Sequence, residues 1–320
     1  MAPFNLVMFI VLTSLNCFLC LVTPTDILNE IESNENISRS CSFESVFAEF
    51  YDTQGTSYES VINGCLTNTS FVVKDVTHIE ISLQYIPRLE RRSIGDLPEL
   101  ESILFIKSGI EHVEPGAFYN LPKIKNISFV FNDFHEVKRG IFNDLPANKI
   151  LISSPVLTNI EEYAFADMNN LSTIAIHYSR ILTWNRKWYG ESKTLTTIDF
   201  RFGILEALPA DAFHGFPNLK CISFRNNRLH TIENGIFQPV ADVYLWGNPW
   251  TCSCLDSIKE WLRNTNGSIH DNYNCIDFRN PVCVATKSSV CLEELNHEAT
   301  KTFFRKFSQK RLCVVPVTLL

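Results

Sequence analysis

The chain of 320 residues carries 28 basic and 35 acidic residues, a formal net charge of −7, and 11 cysteines. An acidic chain disfavours nucleic-acid binding, which depends on a basic surface. The sequence has no His-Glu-x-x-His, Gly-x-Ser-x-Gly or glycine-rich phosphate motif, and its histidines are scattered. We therefore expect a protein that is not an enzyme and that uses no cofactor and no metal.

The amino terminus carries an apolar run over residues 6–22. A run of this length predicts a secretory signal peptide over residues 1–23. It is shorter than the roughly 20 apolar residues usual for a membrane span, and an uncleaved anchor is the alternative. No later segment approaches this length, so we expect no transmembrane span after removal of the signal.

Residues 24–75 are expected to form an amino-terminal cap, in which Cys41 and Cys65 are the only two cysteines and pair with each other. Cysteines placed towards the two ends of the chain suit disulfides formed in an oxidising compartment. Five Asn-x-Ser/Thr sequons agree with secretion into the extracellular space. The expected glycosylation sites are Asn36, Asn68, Asn126, Asn170 and Asn266.

Residues 76–250 contain eight repeats with a period of 24 residues, one of them a residue short. Each repeat holds two apolar residues separated by one position, such as Ile103 and Phe105, and this alternation predicts one short strand with one buried face. A later slot in the repeat usually holds a phenylalanine, as at Phe118 and Phe142. These rings are predicted to stack inside the coil at about one strand spacing, 4.8 Å.

The segments "PGAFYNLPKIKNISF" and "PADAFHGFPNLKCISF" carry a family resemblance. The chain resembles extracellular leucine-rich repeat proteins, similar to Toll-type receptor ectodomains and insect leucine-rich repeat immune or adhesion proteins. The resemblance covers about residues 76–250. It implies an α/β solenoid: a curved leucine-rich repeat coil with a concave parallel β-sheet, a mostly irregular convex side and disulfide-bonded end caps.

The sequence departs from the family pattern in two places. Such repeats usually place an Asn at the turn after the strand, where its side chain bonds the backbone. Three repeats hold Asn at this position: Asn132, Asn227 and Asn248. The other five repeats hold Gln84, Ser108, Pro155, Ser179 and Gly203, and their turns are predicted to be looser. The second departure is "LTWNRKWYGESK" at residues 182–193, where Trp184 and Tyr189 are expected to fill the core and Trp188 has no obvious place.

The last repeat of a solenoid leaves an open apolar edge that must be covered. Apolar residues at helical spacing predict a short helix across this edge, with Ser257 and Glu260 as a capping box. Cys252 and Cys254, on an extended piece before the helix, are expected to fix this carboxy-terminal cysteine cap over residues 251–291. The apolar residues are Leu255, Ile258, Trp261 and Leu262.

The family resemblance implies that Cys252 pairs with Cys275. It does not decide whether Cys254 pairs with Cys283 or with Cys291. The cysteine left over could pair with Cys313.

The strand residues between the buried ones form the predicted concave face, a surface that repeat proteins commonly use for binding. This face is apolar and includes aromatic residues and arginines, as protein contact sites do. The alternative is that some of these side chains fold into the loops. A glycan at Asn126 would shield part of the face. The predicted ligand-binding residues are Leu104, Ile106, Val130, Phe131, Tyr178, Arg201, Phe202, Arg225, Tyr244 and Trp246.

Two features remain open. Cys221, on the same face, is the odd thiol: it is either a buried spare thiol or the site of an intermolecular disulfide that links the chain to a partner or to a second copy. Residues 292–320 form a basic tail, expected to extend the cap through Cys313, with a membrane-surface or partner helix as the alternative.

From these features we expect a secreted binding protein that recognises a protein or cell-surface ligand noncovalently through the concave face. The resemblance to immune proteins points to innate immunity. A cell-adhesion or matrix-organising protein and an extracellular enzyme inhibitor are the alternatives, because a fold does not fix a function.

Overall fold

The alternating apolar residues of the repeats form short strands that pair side by side. The computed structural model describes Cys41 and residues 43–230, 232, 236, 240–264, 267–269, 291, 300–301 and 303–305. All of these residues belong to a unit that begins at Cys41.

The strands of the described residues are β1 (Phe43–Tyr51), β2 (Ser57–Gly64), β3 (His78–Ser82), β4 (Arg88–Leu89), β5 (Ile94–Gly95), β6 (Ser102–Ile106), β7 (His112–Val113), β8 (Phe118–Tyr119), β9 (Asn126–Val130), β10 (Glu136–Val137), β11 (Lys149–Ser153), β12 (Asn159–Ile160), β13 (Thr173–His177), β14 (Thr197–Arg201), β15 (Cys221–Ser223), β16 (Asp242–Tyr244) and β17 (Ser268–Ile269). The α-helix α1 spans Cys252–Asn264, and two 3-10 helices span Asn68–Ser70 and Arg186–Trp188. Eleven strands form the principal sheet, in the order β17-β16-β15-β14-β13-β11-β9-β6-β3-β1-β2.

The strands of the repeats are parallel and in register. Ile79 pairs with Ile103, and Ile103 pairs with Ile127, so lateral neighbours are one repeat apart in the chain. The two predicted core residues of every repeat, from Ile79 to Leu245, are at most 2% exposed. The structure therefore confirms the predicted leucine-rich repeat fold, a parallel-strand solenoid of about seven turns.

The phenylalanine slot forms a ladder of rings on the side of the coil opposite the principal sheet. Phe118, Phe142, Phe165 and Tyr189 stack in succession, with centroid distances of 6.4, 5.9 and 5.7 Å. These distances exceed the expected strand spacing of about 4.8 Å, because aromatic rings prefer offset stacking. Short strand pairs, β4 with β7, β5 with β8 and β10 with β12, link neighbouring turns outside the principal sheet.

The unusual segment at residues 182–193 fills the core, as expected from its offsets. Trp184, Trp188 and Tyr189 are 5%, 3% and 1% exposed. The Trp184 indole Nε1 donates to the carbonyl of Ala212 at 3.0 Å. Trp188, which the sequence pattern left without a place, lies nearly parallel to Phe200 at 6.3 Å.

Buried asparagines tie the backbones of successive turns together. Asn132 is fully buried. Its Oδ1 accepts from the backbone N–H of Ser108 at 3.0 Å and of Ile110 at 3.3 Å, and its Nδ2 donates to the carbonyl of Phe105 at 3.0 Å. Each of these groups belongs to the preceding turn. Buried backbone groups need such partners, because leaving them unpaired is costly.

Asn227 and Asn248 repeat this arrangement towards the carboxyl end. Asn227 Nδ2 donates to Phe200 O at 2.7 Å, and Asn248 Nδ2 donates to Phe224 O at 2.7 Å. The arrangement also explains Gly203, since a Cβ atom there would lie 2.7 Å from Asn227 Oδ1. A glycine in one turn thus makes room for the asparagine of the next.

A β-hairpin covers the amino-terminal edge of the coil. Strand β1 pairs antiparallel with β2 on one side and with β3 on the other, through Phe50 and Ile79 among others. Its inward residues, Phe43 and Phe50 among them, are at most 3% exposed. The predicted disulfide between Cys41 and Cys65 is present, and it joins the residues that precede and follow the hairpin.

Helix α1 covers the carboxy-terminal edge, but it begins earlier than predicted. Thr251 precedes the first turn, and its Oγ1 accepts from the N–H of Cys254 at 3.3 Å. The predicted capping box of Ser257 and Glu260 is therefore wrong, since Ser257 Oγ donates to the carbonyl of Ser253 inside the helix. Three of the four predicted apolar residues are buried, and Trp261 packs against the core: Leu255, Ile258 and Leu262 are at most 6% exposed.

Cys252 and Cys254 lie in the first turn of this helix and not on an extended piece. Residues two apart in a helix point about 200° away from each other, so the two thiols face different directions. Cys254 bonds Cys291, which decides the alternative that the sequence left open. Cys252 is also disulfide-bonded.

Several predicted features lie outside the described residues: the signal peptide, Asn36, Asn266, Phe237, Cys275, Cys283, Cys313 and most of the tail. Within the described part of the tail, Phe303 is 4% exposed, and Phe304 lines a small cavity together with Gly203 and Gly247. In the part of the chain that the structure describes, no helix has the length and apolar character to cross a membrane.

We predict that Tyr189→Phe stabilises the protein. The hydroxyl of Tyr189 is buried and has no hydrogen-bond partner among the described residues, and burial raises the pKa of this phenol. Removing an unpaired buried hydroxyl should raise the free energy of unfolding by about 1 kcal/mol. Urea unfolding followed by circular dichroism measures it. Tyr85→Phe, at a residue 76% exposed, serves as the control and should change nothing.

We also predict that Asn132→Ala destabilises the protein by about 3 kcal/mol, because two backbone N–H groups and one carbonyl lose their buried partner. The matched control is Asn169→Ala, at an exposed position, for which we expect a change within about 0.5 kcal/mol. The same unfolding measurement applies. An equal loss in both variants would show that the buried hydrogen bonds do not hold the turns together.

Candidate functional site

The side chains of the principal sheet that point away from the core form one surface, the open face, which is the face predicted to be concave. Its character changes along the coil. The amino end carries Glu49 and Glu80, the middle carries Leu104 and Val130, and the carboxyl end carries arginines such as Arg201. A partner that lies along this face meets acidic, apolar and basic side chains in turn.

The predicted apolar residues in the middle of the open face are half-buried. Leu104 and Ile106 on β6 and Val130 on β9 all retain partial exposure. They shield one another because strands in a sheet are only about 4.8 Å apart. The surface that they offer is thus continuous and partly dehydrated before any partner arrives.

Three aromatic residues form a ring row at the ends of the strands, made of Phe131, Tyr178 and Phe202. The rings of Tyr178 and Phe202 stack at 4.9 Å with an interplanar angle of 8°, and Phe131 lies 5.1 Å from Tyr178. Phe131 and Tyr178 come from strands that are not adjacent. They meet across β11, which is followed by the small, fully buried Ser154.

The ring row departs from the strand alternation on which the sequence prediction rested. Its three residues have positive φ angles of 53°, 58° and 57°, so each follows its strand in the left-handed region. That region favours Gly and Asn, and the corresponding positions of the next two repeats hold Asn226 and Gly247. Bulky rings at such positions cost backbone energy that their packing must offset.

Trp246 does not belong to the exposed part of the face. Alternation with Tyr244 placed it among the predicted ligand-binding residues, but it is only 7% exposed. The accessible part of the predicted site therefore ends at Tyr244, which remains half-buried.

A charged cluster of His177, Asp199 and Arg201 lies beside the ring row. Arg201 Nη2 donates to Asp199 Oδ2 at 2.8 Å, and His177 Nε2 lies 3.2 Å from the same oxygen. Asp199 and Arg201 thus form an ion pair. His177 joins this ion pair because it is the lateral neighbour of Arg201 in the sheet. The two residues are 24 positions apart in the chain, so the sequence around either one does not show that they meet.

The cluster keeps its carboxylate ionised. Burial alone would raise the pKa of Asp199, but the hydrogen bond to His177 and the charge of Arg201 outweigh burial. The pKa of Asp199 therefore lies below its ordinary value. Arg201 Nε also lies 3.3 Å from His177 Nε2, so the three side chains form one cluster in which the carboxylate offsets the charge of the guanidinium.

Arg225 lies at the next position of the open face. Its guanidinium sits over the ring of Tyr244, 5.4 Å from the centroid. Burial lowers its pKa, and the charge of Arg201 lowers it further. Arg225 nevertheless stays protonated at neutral pH, because the pKa of an arginine lies far above neutral pH.

Cys221 is half-buried on the open face and is a free cysteine. It pairs laterally with Asp242. Burial raises the pKa of the thiol, and the carboxylates of Asp242 and Asp199 raise it further. Because the thiolate is the reactive form, this environment favours a spare thiol over an intermolecular disulfide.

The sequons differ in their setting. Asn126 starts β9 and is half-buried on the open face, whereas Asn170 is exposed. Asn68 starts a 3-10 helix, and its Oδ1 is buried without a partner. A glycan on Asn126 would stand at the edge of the apolar middle of the open face. Glycosylation at all three stays a prediction.

Sequence reasoning missed a cavity of about 640 Å³ where the hairpin meets the first repeats. Its lining includes Asp52, Glu80, Glu99 and Glu101. No local motif marks it, because the residues come from a turn of the hairpin, a strand and a loop. Two of its carboxylates already form ion pairs. Glu101 binds Lys125 at 2.7 Å, and Glu99 binds another lysine of the loop that contains Lys125.

Metal binding finds no support in the described residues, which contain no group of three His, Cys, Asp or Glu side chains placed to hold an ion. The arrangement of the open face is suited to contact with a macromolecule.

Comparison with known proteins agrees with the fold. Residues 96–206 match the family model described as BspA type leucine-rich repeat region, in six copies. No curated protein matches the sequence.

Among solved structures, the chain is similar to human 5T4, also described as Wnt-activated inhibitory factor 1 and trophoblast glycoprotein. The two share 18% identity over 62% of this chain and 80% of that chain, with a TM-score of 0.53. A chain of the Drosophila Toll–Spatzle complex shares 21% identity over 54% of this chain and 24% of that chain, with a TM-score of 0.47. The chain thus spans about a quarter of that second chain. At 18% identity the likeness to 5T4 shows the leucine-rich repeat fold alone.

The environment of Cys221 generates a prediction. At neutral pH the native thiol should react with iodoacetamide several-fold more slowly than free cysteine, because little of it is thiolate. Asp242→Asn should speed the reaction by removing a nearby negative charge. Mass spectrometry of the peptide that contains Cys221 measures both rates.

The same assignment predicts that wild type and Cys221→Ser migrate as monomers on non-reducing electrophoresis. A dimer band that disappears in Cys221→Ser would contradict the assignment and would show the intermolecular disulfide.

Proposed function

We propose that this chain is a secreted, non-enzymatic binding protein that recognises another protein through the open face of its sheet. The observation that carries the proposal is the ring row of Phe131, Tyr178 and Phe202 beside the charged cluster of His177, Asp199 and Arg201. Aromatic and arginine side chains at a partly dehydrated centre are the usual anchors of protein interfaces.

The backbone of the ring row supports this proposal. A non-glycine residue in the left-handed region costs about 1–2 kcal/mol. The turn imposes this region whatever the side chain, since Leu83, Lys107, Asn226 and Gly247 at the equivalent positions also have positive φ angles, and none of these is aromatic. The rings stack on each other but remain half-exposed. Their use at three strained positions is explained if a partner covers the remaining ring surface.

Extracellular location is supported by the disulfides. Cys41–Cys65 and Cys254–Cys291 close the two ends of the coil, and structural disulfides persist in oxidising compartments. The sequons and the apolar amino-terminal run agree with secretion. The Toll–Spatzle likeness falls below a TM-score of 0.5 and adds nothing to this proposal. A role in innate immunity therefore rests on the sequence resemblance alone.

The proposal is tested by affinity capture from native extracellular fluid with tagged wild type, Val130→Glu and Leu182→Glu. Val130 lies in the middle of the open face, whereas Leu182 is an exposed apolar residue outside the strands and is 49% exposed. Both variants place the same new charge on an apolar surface position. We expect wild type and Leu182→Glu to capture the same proteins, identified by mass spectrometry, and Val130→Glu to lose them.

The three proteins should have equal thermal unfolding midpoints. Equal midpoints establish that a loss of captured proteins comes from the changed surface and not from unfolding. If Val130→Glu retains the full captured set, the open face is not the binding surface, and the proposal fails.

A further inference from the structure

Among the described residues, Arg225 is a cation for which no ion pair is present. Its neighbour Arg201 is neutralised by Asp199 at 2.8 Å, whereas no carboxylate among the described residues lies within ion-pair distance of Arg225. Its Nε is buried and makes no hydrogen bond. The terminal nitrogens Nη1 and Nη2 are not buried in this way and remain open to the solvent.

This arrangement is costly for the protein alone. An arginine has five N–H donors in a planar fork, and the buried Nε–H of Arg225 loses its hydration without gaining a hydrogen bond. The charge of Arg201 disfavours the protonated guanidinium, and the charge of Asp199 partly offsets this effect. The ring of Tyr244 supports the flat face of the guanidinium at 5.4 Å, which leaves the edge of the fork, where the donors point, as the unsatisfied part.

We infer that Arg225 binds a carboxylate of the protein partner, held edge-on by the guanidinium fork while Tyr244 fixes the plane of the fork. The inference rests on the proposed function and adds the chemistry of the partner: an acidic side chain or a chain terminus, placed next to apolar residues that reach the ring row. A carboxylate matches the fork because two parallel N–H···O bonds can form.

A protein carboxylate fits this site better than a polyanion such as a sulfated polysaccharide. Binding of a polyanion draws on many cations. Beside Arg225 the open face holds Arg201, which Asp199 neutralises, and the exposed Lys149 lies three strands away on β11. The same face carries Asp199 near this site and Glu49 and Glu80 at its other end. The whole chain has a formal charge of −7, so long anionic chains are repelled at distance.

The test uses two dye-labelled, terminally blocked peptides, Phe-Glu-Phe-Glu-Phe and its glutamine counterpart, with fluorescence polarisation as the readout. We expect wild type to bind the glutamate peptide at least five-fold more tightly than the glutamine peptide. Arg225→Gln should remove this preference, and Arg225→Lys should retain part of it, since a lysine keeps the charge and loses the fork.

Arg228→Gln is the matched control. It removes the same charge from an exposed residue only three positions along the chain, and it should leave the preference unchanged. Thermal unfolding midpoints confirm that the variants are folded. Absence of a preference in wild type, or its persistence in Arg225→Gln, overturns the inference.

Binding of heparin to the same variants tests the alternative ligand, a sulfated polysaccharide. The carboxylate assignment is overturned in favour of a sulfated polysaccharide if wild type binds heparin more tightly than the glutamate peptide and if this binding depends on Arg225. Failure of either kind leaves the capture experiment with Val130→Glu unaffected, so the two proposals fail separately.

Discussion

Every turn of this coil depends on its neighbours, because one repeat cannot enclose its own apolar side chains. Ile103 and Phe105 are buried only since Ile79, Ile81, Ile127 and Phe129 lie beside them at one strand spacing. Stability in such a coil is a sum of contacts between adjacent turns. The same dependence forces the two ends to differ from the middle, as each end has one neighbour too few.

The ends solve this problem with different structures. The amino end adds a hairpin that continues the sheet and turns its direction to antiparallel, so Phe50 covers the first repeat. The carboxyl end lays a helix across the last turn and fixes it through Cys254. Disulfides suit both positions because a terminal element has contacts on one side only, and a covalent link limits its freedom in the unfolded chain.

Lateral pairing also creates the open face. Strands that bury one face must present the other, and one repeat after another adds a row of side chains to it. The rows bring together groups that are far apart in the chain, such as the stacked Tyr178 and Phe202, or His177 with Asp199 and Arg201. The positive φ angles of the ring row and the half-buried guanidinium of Arg225 are tolerated there because the turns behind them are fully packed.

The sequence by itself determined the repeat, the strand positions and the buried residues, because a period of two within a period of 24 leaves one way to bury Ile and Phe. It also determined the Asn132 type of turn and the core role of Trp184. Tertiary structure decided the rest. The helix begins at Cys252, ahead of the proposed capping box, because Thr251 caps it there. Trp246 is buried although alternation exposes it, and the ring row follows from a positive φ that no alternation encodes. The unpaired state of Arg225 depends on which side chains the neighbouring turns place within reach, and only the folded coil sets those distances.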